Sequence, residues 1–283
     1  MIKLADVSYV RLGTRDLEGA THFATEYLGL DVAERAKGSV YFKSDEREHT
    51  LCYFEGDPGD QVVCFEVEEQ FHLDEAAAQL EALGHPVRRG TASEAALRKV
   101  HDFIAFRDPT GNPIELAWRP GYSGRRYHGA RDAGITGFSH VGLCSSDLAR
   151  DEAFWTKVTN AQVSDRIGDA PLLRIDEVHH TIALFPSAKP GIQHINHQVE
   201  TGDDIMRSHQ FLKDRQVRMV FGPGKIRLFR GAGWYGLRVF ERRARDRRRV
   251  ALARAAVCVR AEGLLQMGRQ AQHRRIQQVS ASK

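Results

Sequence analysis

The 283-residue chain lacks several features that would assign it to a special class of protein. It has no run of about 18 apolar residues, the length that a membrane-spanning helix needs. The opening residues MIKLADVSYV alternate like a strand and do not resemble a signal peptide. Cysteine is scarce: Cys52, Cys64, Cys144 and Cys258 have no metal-site or redox spacing. We therefore expect a protein of the reducing cytoplasm.

The body of the chain has too few basic residues to balance its acids. Residues 226–283 hold fourteen Arg, one Lys and three acidic residues, a net charge of +12, whereas the whole chain carries only +4. Residues 1–225 therefore carry a net charge of −8. An acidic body argues against nucleic-acid binding, because phosphate contacts need clustered Lys and Arg. The arginine-rich segment 242–260 could form a basic helix, but without interleaved aromatics a disordered or loosely helical appendage is the simpler expectation.

The chain repeats itself at an offset of 131 residues. Val7–Leu30 aligns with Phe138–Ala161, and each copy predicts a strand, a turn with an Asp N-cap and an amphipathic helix. A second pair of segments, 62–87 and 194–219, matches at an offset of 132. Internal repeats of this kind predict similar structural units.

The repeat divides the chain into three parts. Residues 1–128 and 129–250 form two similar domains, each of two units in which strands flank a helix. A Gly- and Arg-rich linker, Arg119–Gly134, joins them. Residues 251–283 form a basic tail that we expect to be disordered. Near the end of the first domain, DPTGN at 108–112 predicts a tight hairpin turn.

Two histidines occupy matched positions in the second half. His140 stands where the first half has Tyr9, and His194 stands where it has Val62. The two would converge if the units are related by pseudo-symmetry, and a third ligand is expected at the position matching Glu115. Two His and one carboxylate form the facial triad that binds non-haem Fe(II) and leaves three positions open for substrate and O2. Either histidine alone is more typical of a satisfied core or edge residue, whereas the pair at matched positions favours a metal.

The second half also contains motifs of a known family. FSHVGL (138–143), HHTIALFP (179–186), GIQHINHQVE (191–200) and VFGPGK (220–225) resemble two-domain type I extradiol ring-cleavage dioxygenases, relatives of 2,3-dihydroxybiphenyl and catechol 2,3-dioxygenases in the vicinal oxygen chelate superfamily. The resemblance covers residues 5–225. It implies an α+β fold in which each domain pairs two βαβββ modules around a central cavity, the glyoxalase/bleomycin resistance/dioxygenase fold. It also implies that only the C-terminal domain holds metal.

The resemblance implies a role for each histidine. His140 and His194 would bind Fe(II), and His180 of HHTIALFP would be the acid–base residue for cleavage of a catechol ring by O2. Neutral imidazole is the usual proton acceptor near pH 7, and iron lowers the pKa of the catechol. Without the resemblance, His179 and His180 could equally be structural residues, one on each face of a strand, with one of them solvated.

Other functions stay open at this point. A metal-dependent isomerase or lyase of the glyoxalase type would use the same fold without O2. An inactive homologue would keep the fold and bind a ligand only. Members of the resembled family often form homo-oligomers, so self-association is a further expectation.

After Lys225 the chain departs from the family, so we expect the C-terminal domain to be incomplete. The family's His-Pro-Thr motif, its active-site Tyr and the strand carrying its ligand Glu are missing. The spacing of the first domain places Arg238 at the position of the third ligand. Glu241 is the remaining candidate if 239–241 forms the missing strand, and otherwise it is a solvated glutamate. The activity of the chain therefore depends on this segment.

A shifted reading frame would explain the departure. One coding of the family's Gly-Pro-Asp-Gly-Met-Ala-Phe-Glu-Tyr-Ser-Ser, entered at its third nucleotide, reads Ala-Gly-Trp-Tyr-Gly-Leu-Arg-Val-Phe-Glu, the sequence of residues 232–241. Our hypothesis is that the residues after about 225 are an out-of-frame translation. Sequencing the locus tests it: an intact frame, with close relatives sharing this C-terminus, refutes the hypothesis.

Overall fold

The computed structural model describes residues 1–217 and 219 in full, and the backbone course of 220–227, 233–239 and 255–259. The first domain contains the strands β1 Asp6–Thr14, β2 Asp31–Ala36, β3 Ser39–Lys43, β4 Leu51–Glu55, β5 Gln61–Val67, β6 Arg88–Arg89, β7 Val100–Arg107 and β8 Pro113–Pro120. Its helices are α1 Leu17–His22, continued by a π-helical turn Phe23–Leu28, α2 Gln70–Ala82 and α3 Ala92–Arg98. The second domain contains β9 Ile135–Ser145, α4 Leu148–Val158, β10 Gln162–Ile167, β11 Ala170–Arg174, β12 Ile182–Pro186, β13 Ile192–Val199, α5 Gly202–Asp214, β14 Met219–Arg227, β15 Gly233–Val239 and β16 Ala255–Val259.

The two domains have the same sheet topology. The strand order is β2-β3-β4-β1-β5-β8-β7-β6 in the first sheet and β10-β11-β12-β9-β13-β16-β15-β14 in the second. Each strand of one sheet therefore has a counterpart eight strands later in the chain. Parallel and antiparallel strand pairs occur at corresponding places in the two sheets, with β1 parallel to β4 and β9 parallel to β12. The predicted α+β fold with an internal repeat is confirmed.

Both repeats begin their first helix with the predicted aspartate cap. The Asp16 carboxylate accepts a hydrogen bond from the Gly19 amide at 2.9 Å, and Asp147 accepts one from Arg150 at 3.0 Å. Each side chain satisfies one of the amides that a helix start leaves without an intrahelical partner. The two helices therefore begin at equivalent points after β1 and β9.

The predicted hairpin turn joins β7 to β8. The Asp108 carboxylate accepts hydrogen bonds from the amides of Gly111 and Asn112 at 2.9 and 2.8 Å. Gly111 has a φ of 97°, which favours glycine because it has no Cβ. The turn brings Glu115 onto β8 beside β5.

The domains share one apolar core. A single cluster of buried side chains includes residues of both sheets, and Phe65 meets Trp155 edge-to-face with their ring centroids 5.5 Å apart. The Asn160 side chain extends this contact by bonding both the amide and the carbonyl of Leu4, at 2.9 and 3.0 Å. No helix in the described part of the chain is both long and apolar enough to cross a membrane.

The last three strands correct the expected end of the second domain. Ala255–Val259, which we expected within a disordered tail after residue 250, is β16 and pairs in parallel with β13. The second sheet thus has eight strands, with β16 where the first sheet has β8. The expectation rested on the basic composition of the tail, which overlooked the short apolar run Ala255–Val259. The other residues of 251–283 lie outside the described part.

Candidate metal and active site

His140 and His194 lie on neighbouring antiparallel strands. On β9 and β13, Asn196 is opposite His140 and His194 is opposite Gly142. Residues two apart share one face of a strand, so the two imidazoles are diagonal neighbours on the same face of the sheet. A Cβ on Gly142 would meet the His194 ring at 2.3 Å. Glycine at 142 therefore gives the second imidazole its room.

The two histidines face each other through their Nε2 atoms, which are 3.0 Å apart. Both residues are almost fully buried, at 3% and 2% exposure. Two metal–nitrogen bonds of about 2.1 Å at a right angle separate their nitrogens by about 3.0 Å. The spacing and the donor type therefore fit two adjacent ligands of one metal ion.

Neighbouring side chains orient both rings. His194 Nδ1 bonds the side-chain oxygen of Gln193, which directs the lone pair of Nε2 towards His140. Asn196 Nδ2 lies 3.2 Å from His140 Nε2. Phe185 covers the His194 ring edge-to-face at 5.6 Å between centroids. This shell fixes the imidazoles before any ligand arrives.

His180 completes the cluster of imidazoles. Its ring centroid is 4.2 Å from that of His140, and its Nδ1 is 3.0 Å from Nδ1 of His179. Burial and, to a smaller extent, the charge of a protonated His179 together lower the pKa of His180 to about 3. His180 is therefore neutral at pH 7. Asp165 lies behind the pair, 3.9 Å from His179 Nε2.

The third ligand is not among the fully described residues. In that part of the chain no group of three or more His, Cys, Asp or Glu side chains is arranged to hold a metal ion. In the first sheet Glu115 is opposite Cys64, and in the second sheet the equivalent pair is Ala256 and Asn196. The second domain thus has alanine at the position of the first domain's carboxylate. Glu241, our candidate third ligand, lies outside the described residues.

The placement of Arg238 at that ligand position was wrong. Arg238 lies on β15 and pairs with Ala256 on β16, so it matches Ala105 of β7, the partner of Glu115. Counting from the first domain failed because 240–254 separates β15 from β16, whereas 108–112 separates β7 from β8. Connection length cannot be transferred from one repeat to the other.

The first domain has an ion pair at the corresponding place. The Tyr9 hydroxyl donates to Glu115 Oε2 at 2.7 Å, and Arg98 Nη2 lies 2.7 Å from Glu115 Oε1. Arg98 Nε also donates to both carboxylate oxygens at 2.9 Å. With Val62 in place of the second histidine, the guanidinium of Arg98 supplies the positive charge beside the carboxylate.

His49 is the first domain's counterpart of His180, and it was missed. The amide of Val10 bonds the carbonyl of Thr50, and the amide of Val141 bonds that of Thr181, which sets the two histidines in equivalent positions. His49 stacks on Tyr9 at 5.0 Å between centroids, and burial lowers its pKa to about 3. The offset of 131 also aligns His49 with His180, so the repeat contained the signal.

Comparison with known proteins identifies the family. The model of the Glyoxalase/Bleomycin resistance protein/Dioxygenase superfamily matches residues 6–116 and 137–234, more than half of the chain. The chain belongs to this superfamily. It is 28% identical over 220 residues to biphenyl-2,3-diol 1,2-dioxygenase of Pseudomonas sp. (strain KKS102), covering 70% of this chain and 74% of the relative. It is 26% identical over 229 residues to an iron-dependent extradiol dioxygenase of Rhodococcus jostii (strain RHA1), covering 72% and 75%.

Solved structures have the same fold as this superfamily member. A halotolerant catechol dioxygenase has a TM-score of 0.80 at 20% identity, over 92% of this chain and 88% of that one. A Mn(II)-bound glyoxalase from Novosphingobium aromaticivorans has a TM-score of 0.78 at 20% identity, over 92% and 83%. The expected resemblance to the extradiol dioxygenases is confirmed.

Proposed function

We propose that this chain is an Fe(II)-dependent extradiol dioxygenase that opens the ring of a catechol-type substrate with O2, next to one ring hydroxyl. The observation that carries the proposal is the pair of buried Nε2 atoms of His140 and His194, 3.0 Å apart, with the ring of His180 beside them. The relatives named for biphenyl-2,3-diol cleavage and for iron dependence support an aromatic diol and iron.

His140 and His194 would hold the iron, and Glu241 is the proposed third ligand. When bound, Fe(II) would lower the pKa of the catechol hydroxyls and activate O2. The Gln193 oxygen holds His194 in the tautomer whose Nε2 lone pair is available to a metal. The two strands present both imidazoles on the same face of the sheet.

His180 would accept a proton from the catechol. Its lowered pKa, about 3, keeps the imidazole neutral and able to accept. A catecholate beside it would raise that pKa, because a nearby negative charge favours the protonated ring. The bond to His179 fixes the orientation of the ring at Nδ1. His180 can therefore receive the proton and return it to the ring-opened product.

One observation favours an inactive homologue. Ala256 occupies the strand position at which the first domain has Glu115, so the second sheet supplies no carboxylate there. A glyoxalase-type isomerase or lyase is the other rival, since a Mn(II)-bound glyoxalase has the same fold.

Anaerobic loading of the full chain with Fe(II), followed by oxygen-electrode measurements with 2,3-dihydroxybiphenyl, tests the proposal. We expect iron near one equivalent per chain, O2 consumed mole for mole with the diol, and a coloured ring-opened product. Retained iron without O2 uptake would favour an isomerase or lyase. A folded chain that retains no iron would favour the inactive homologue.

A further inference from the structure

A cavity lined mainly by the first domain, and closed by two residues of the second, is not used by the proposed reaction. It has a volume of about 410 Å³ and is lined by three arginines, Arg11, Arg98 and Arg107. This volume lies within the range of cavities that bind small molecules. From its lining we propose that this cavity binds a small organic monocarboxylate with an apolar body.

The charge of the cavity favours a monoanion. Arg98 is paired with Glu115, and one carboxylate, Asp60, lines the wall beside the other two arginines. Within the described residues, neither Arg11 nor Arg107 has a carboxylate within 4.0 Å. Glu115 balances the charge of Arg98, and Asp60 balances one of the two remaining guanidinium charges. One positive charge is left. A single carboxylate would neutralise it, and guanidinium groups match carboxylates in geometry.

The two available arginines are held at the rim by backbone groups. Arg11 Nη1 donates to the carbonyl of Leu97 at 3.2 Å, and Arg107 Nη1 donates to that of Gly111 at 2.7 Å. Arg11 Nη1 also lies 3.6 Å from Cys52 Sγ, and all three of these contacts are made through Nη1. Guanidinium groups fixed in this way lose less freedom when they bind an anion.

The rest of the lining suits the apolar part of such a ligand. Phe54, Val62, Pro113 and Pro190 contribute apolar surface. The arginine head group of Arg11 lies over the Phe54 ring at 5.3 Å, which leaves that ring at the boundary between the charged and the apolar side. An inorganic anion would leave this apolar surface without a contact, so a carboxylate with a ring or a short chain fits better.

The cavity also touches the strand of a proposed metal ligand. Its far wall is Pro190 and Gly191, directly before β13, which carries His194. Gln61 Oε1 accepts the amide of Ile192 at 2.9 Å and fixes this wall to the first domain. A ligand in the cavity therefore contacts both domains.

Calorimetric titration of the full chain with sodium benzoate at constant ionic strength tests the proposal, with benzamide as the neutral ligand of the same shape. We expect saturable binding of benzoate and none of benzamide. Arg11→Gln and Arg107→Gln should each weaken benzoate binding about tenfold or more, the size expected for one charge-assisted hydrogen bond. Arg35→Gln, at an exposed position on β2, should leave the affinity unchanged.

Three results would overturn the proposal. The first is that benzoate fails to saturate the chain, and the second is that benzamide binds as well as benzoate. The third is that neither Arg11→Gln nor Arg107→Gln weakens binding. The third result would place benzoate elsewhere, including the histidine cluster of the second domain. Arg107 is exposed, so its variant stays informative if Arg11→Gln does not fold. The outcome is independent of iron and of O2 uptake, so it stands or falls apart from the proposed dioxygenase activity.

Discussion

The two domains place different chemistry on the same strands. In the first, Glu115 forms an ion pair with Arg98 and accepts a hydrogen bond from Tyr9. In the second, His140 and His194 face each other at 3.0 Å. The first domain carries its cation as a guanidinium, whereas the second places together two imidazole nitrogens that we propose as ligands of a metal cation. The same strand positions thus carry an ion pair in one domain and a pair of imidazoles in the other.

The strongest way to break this comparison is to remove a second-domain imidazole. His194→Ala should abolish stoichiometric Fe(II) binding and lower ring cleavage about 100-fold or more, beyond the 10–100-fold typical of an outer-shell change. Val62→Ala, at the matched position of the first domain, should leave iron binding unchanged. Metal analysis after gel filtration, with oxygen uptake, measures both. Equal iron retention by His194→Ala and the parent chain would contradict the proposed site.

A second comparison sets His180 against its counterpart His49. His180→Gln should lower kcat about 10²–10⁴-fold, the usual contribution of a general acid or base. Iron binding should remain, because His180 is proposed to move a proton and not to bind the metal. His49→Gln, equally buried but in the first domain, should leave kcat unchanged. Single-turnover kinetics with iron-loaded protein measure the difference, and equal kcat losses in the two variants would refute the proposed role.

Much of this comparison was readable in the sequence. The offset of 131 predicted equivalent strands, and it pairs His140 with Tyr9 from the sequence alone. The reason is that strand and helix starts depend on local signals, such as the Asp16 and Asp147 caps. The same offset pairs His49 with His180, although the first domain has no second histidine at Val62 to mark a metal site.

Other parts of the site depend on chain length and tertiary contact. Arg98 reaches Glu115 from the end of α3, and no repeat or motif links the two residues. Ala256, and not the predicted Arg238, lies at the ligand position, because the connection before β16 is longer than the turn before β8. The length of a connection follows no periodicity, so register across the second sheet required the structure.

The third test asks whether Arg98 is the cation that neutralises buried Glu115 in the first domain. Arg98→Met leaves Glu115, which is 2% exposed, without its partner, and removal of one member of a buried pair costs about 3–5 kcal/mol. Urea unfolding should show this loss, with iron binding unchanged. Adding Glu115→Gln should recover most of it, because the uncompensated charge is gone and Tyr9 keeps an acceptor. A loss of less than about 1 kcal/mol in the free energy of unfolding would mean that the pair contributes no more than an ordinary surface salt bridge.

The smallest expected effect concerns acid and His49. Burial, with the nearby cations Arg11, Lys99 and Arg47, lowers the pKa of His49 to about 3, against about 6.5 in an unfolded chain. Between these values the unfolded chain binds the extra proton, so the free energy of unfolding falls as pH decreases from about 6.5 towards 3.

His49→Gln should make this fall shallower by about 1.4 kcal/mol per pH unit, or about 2 kcal/mol at pH 5, because glutamine has no proton to gain. Urea unfolding from pH 7 to 4.5 measures the slope, and the exposed His22→Gln serves as the control. An unchanged slope would mean that His49 takes up a proton in the folded chain. Of the two matched histidines, only His180 would then be expected to stay neutral.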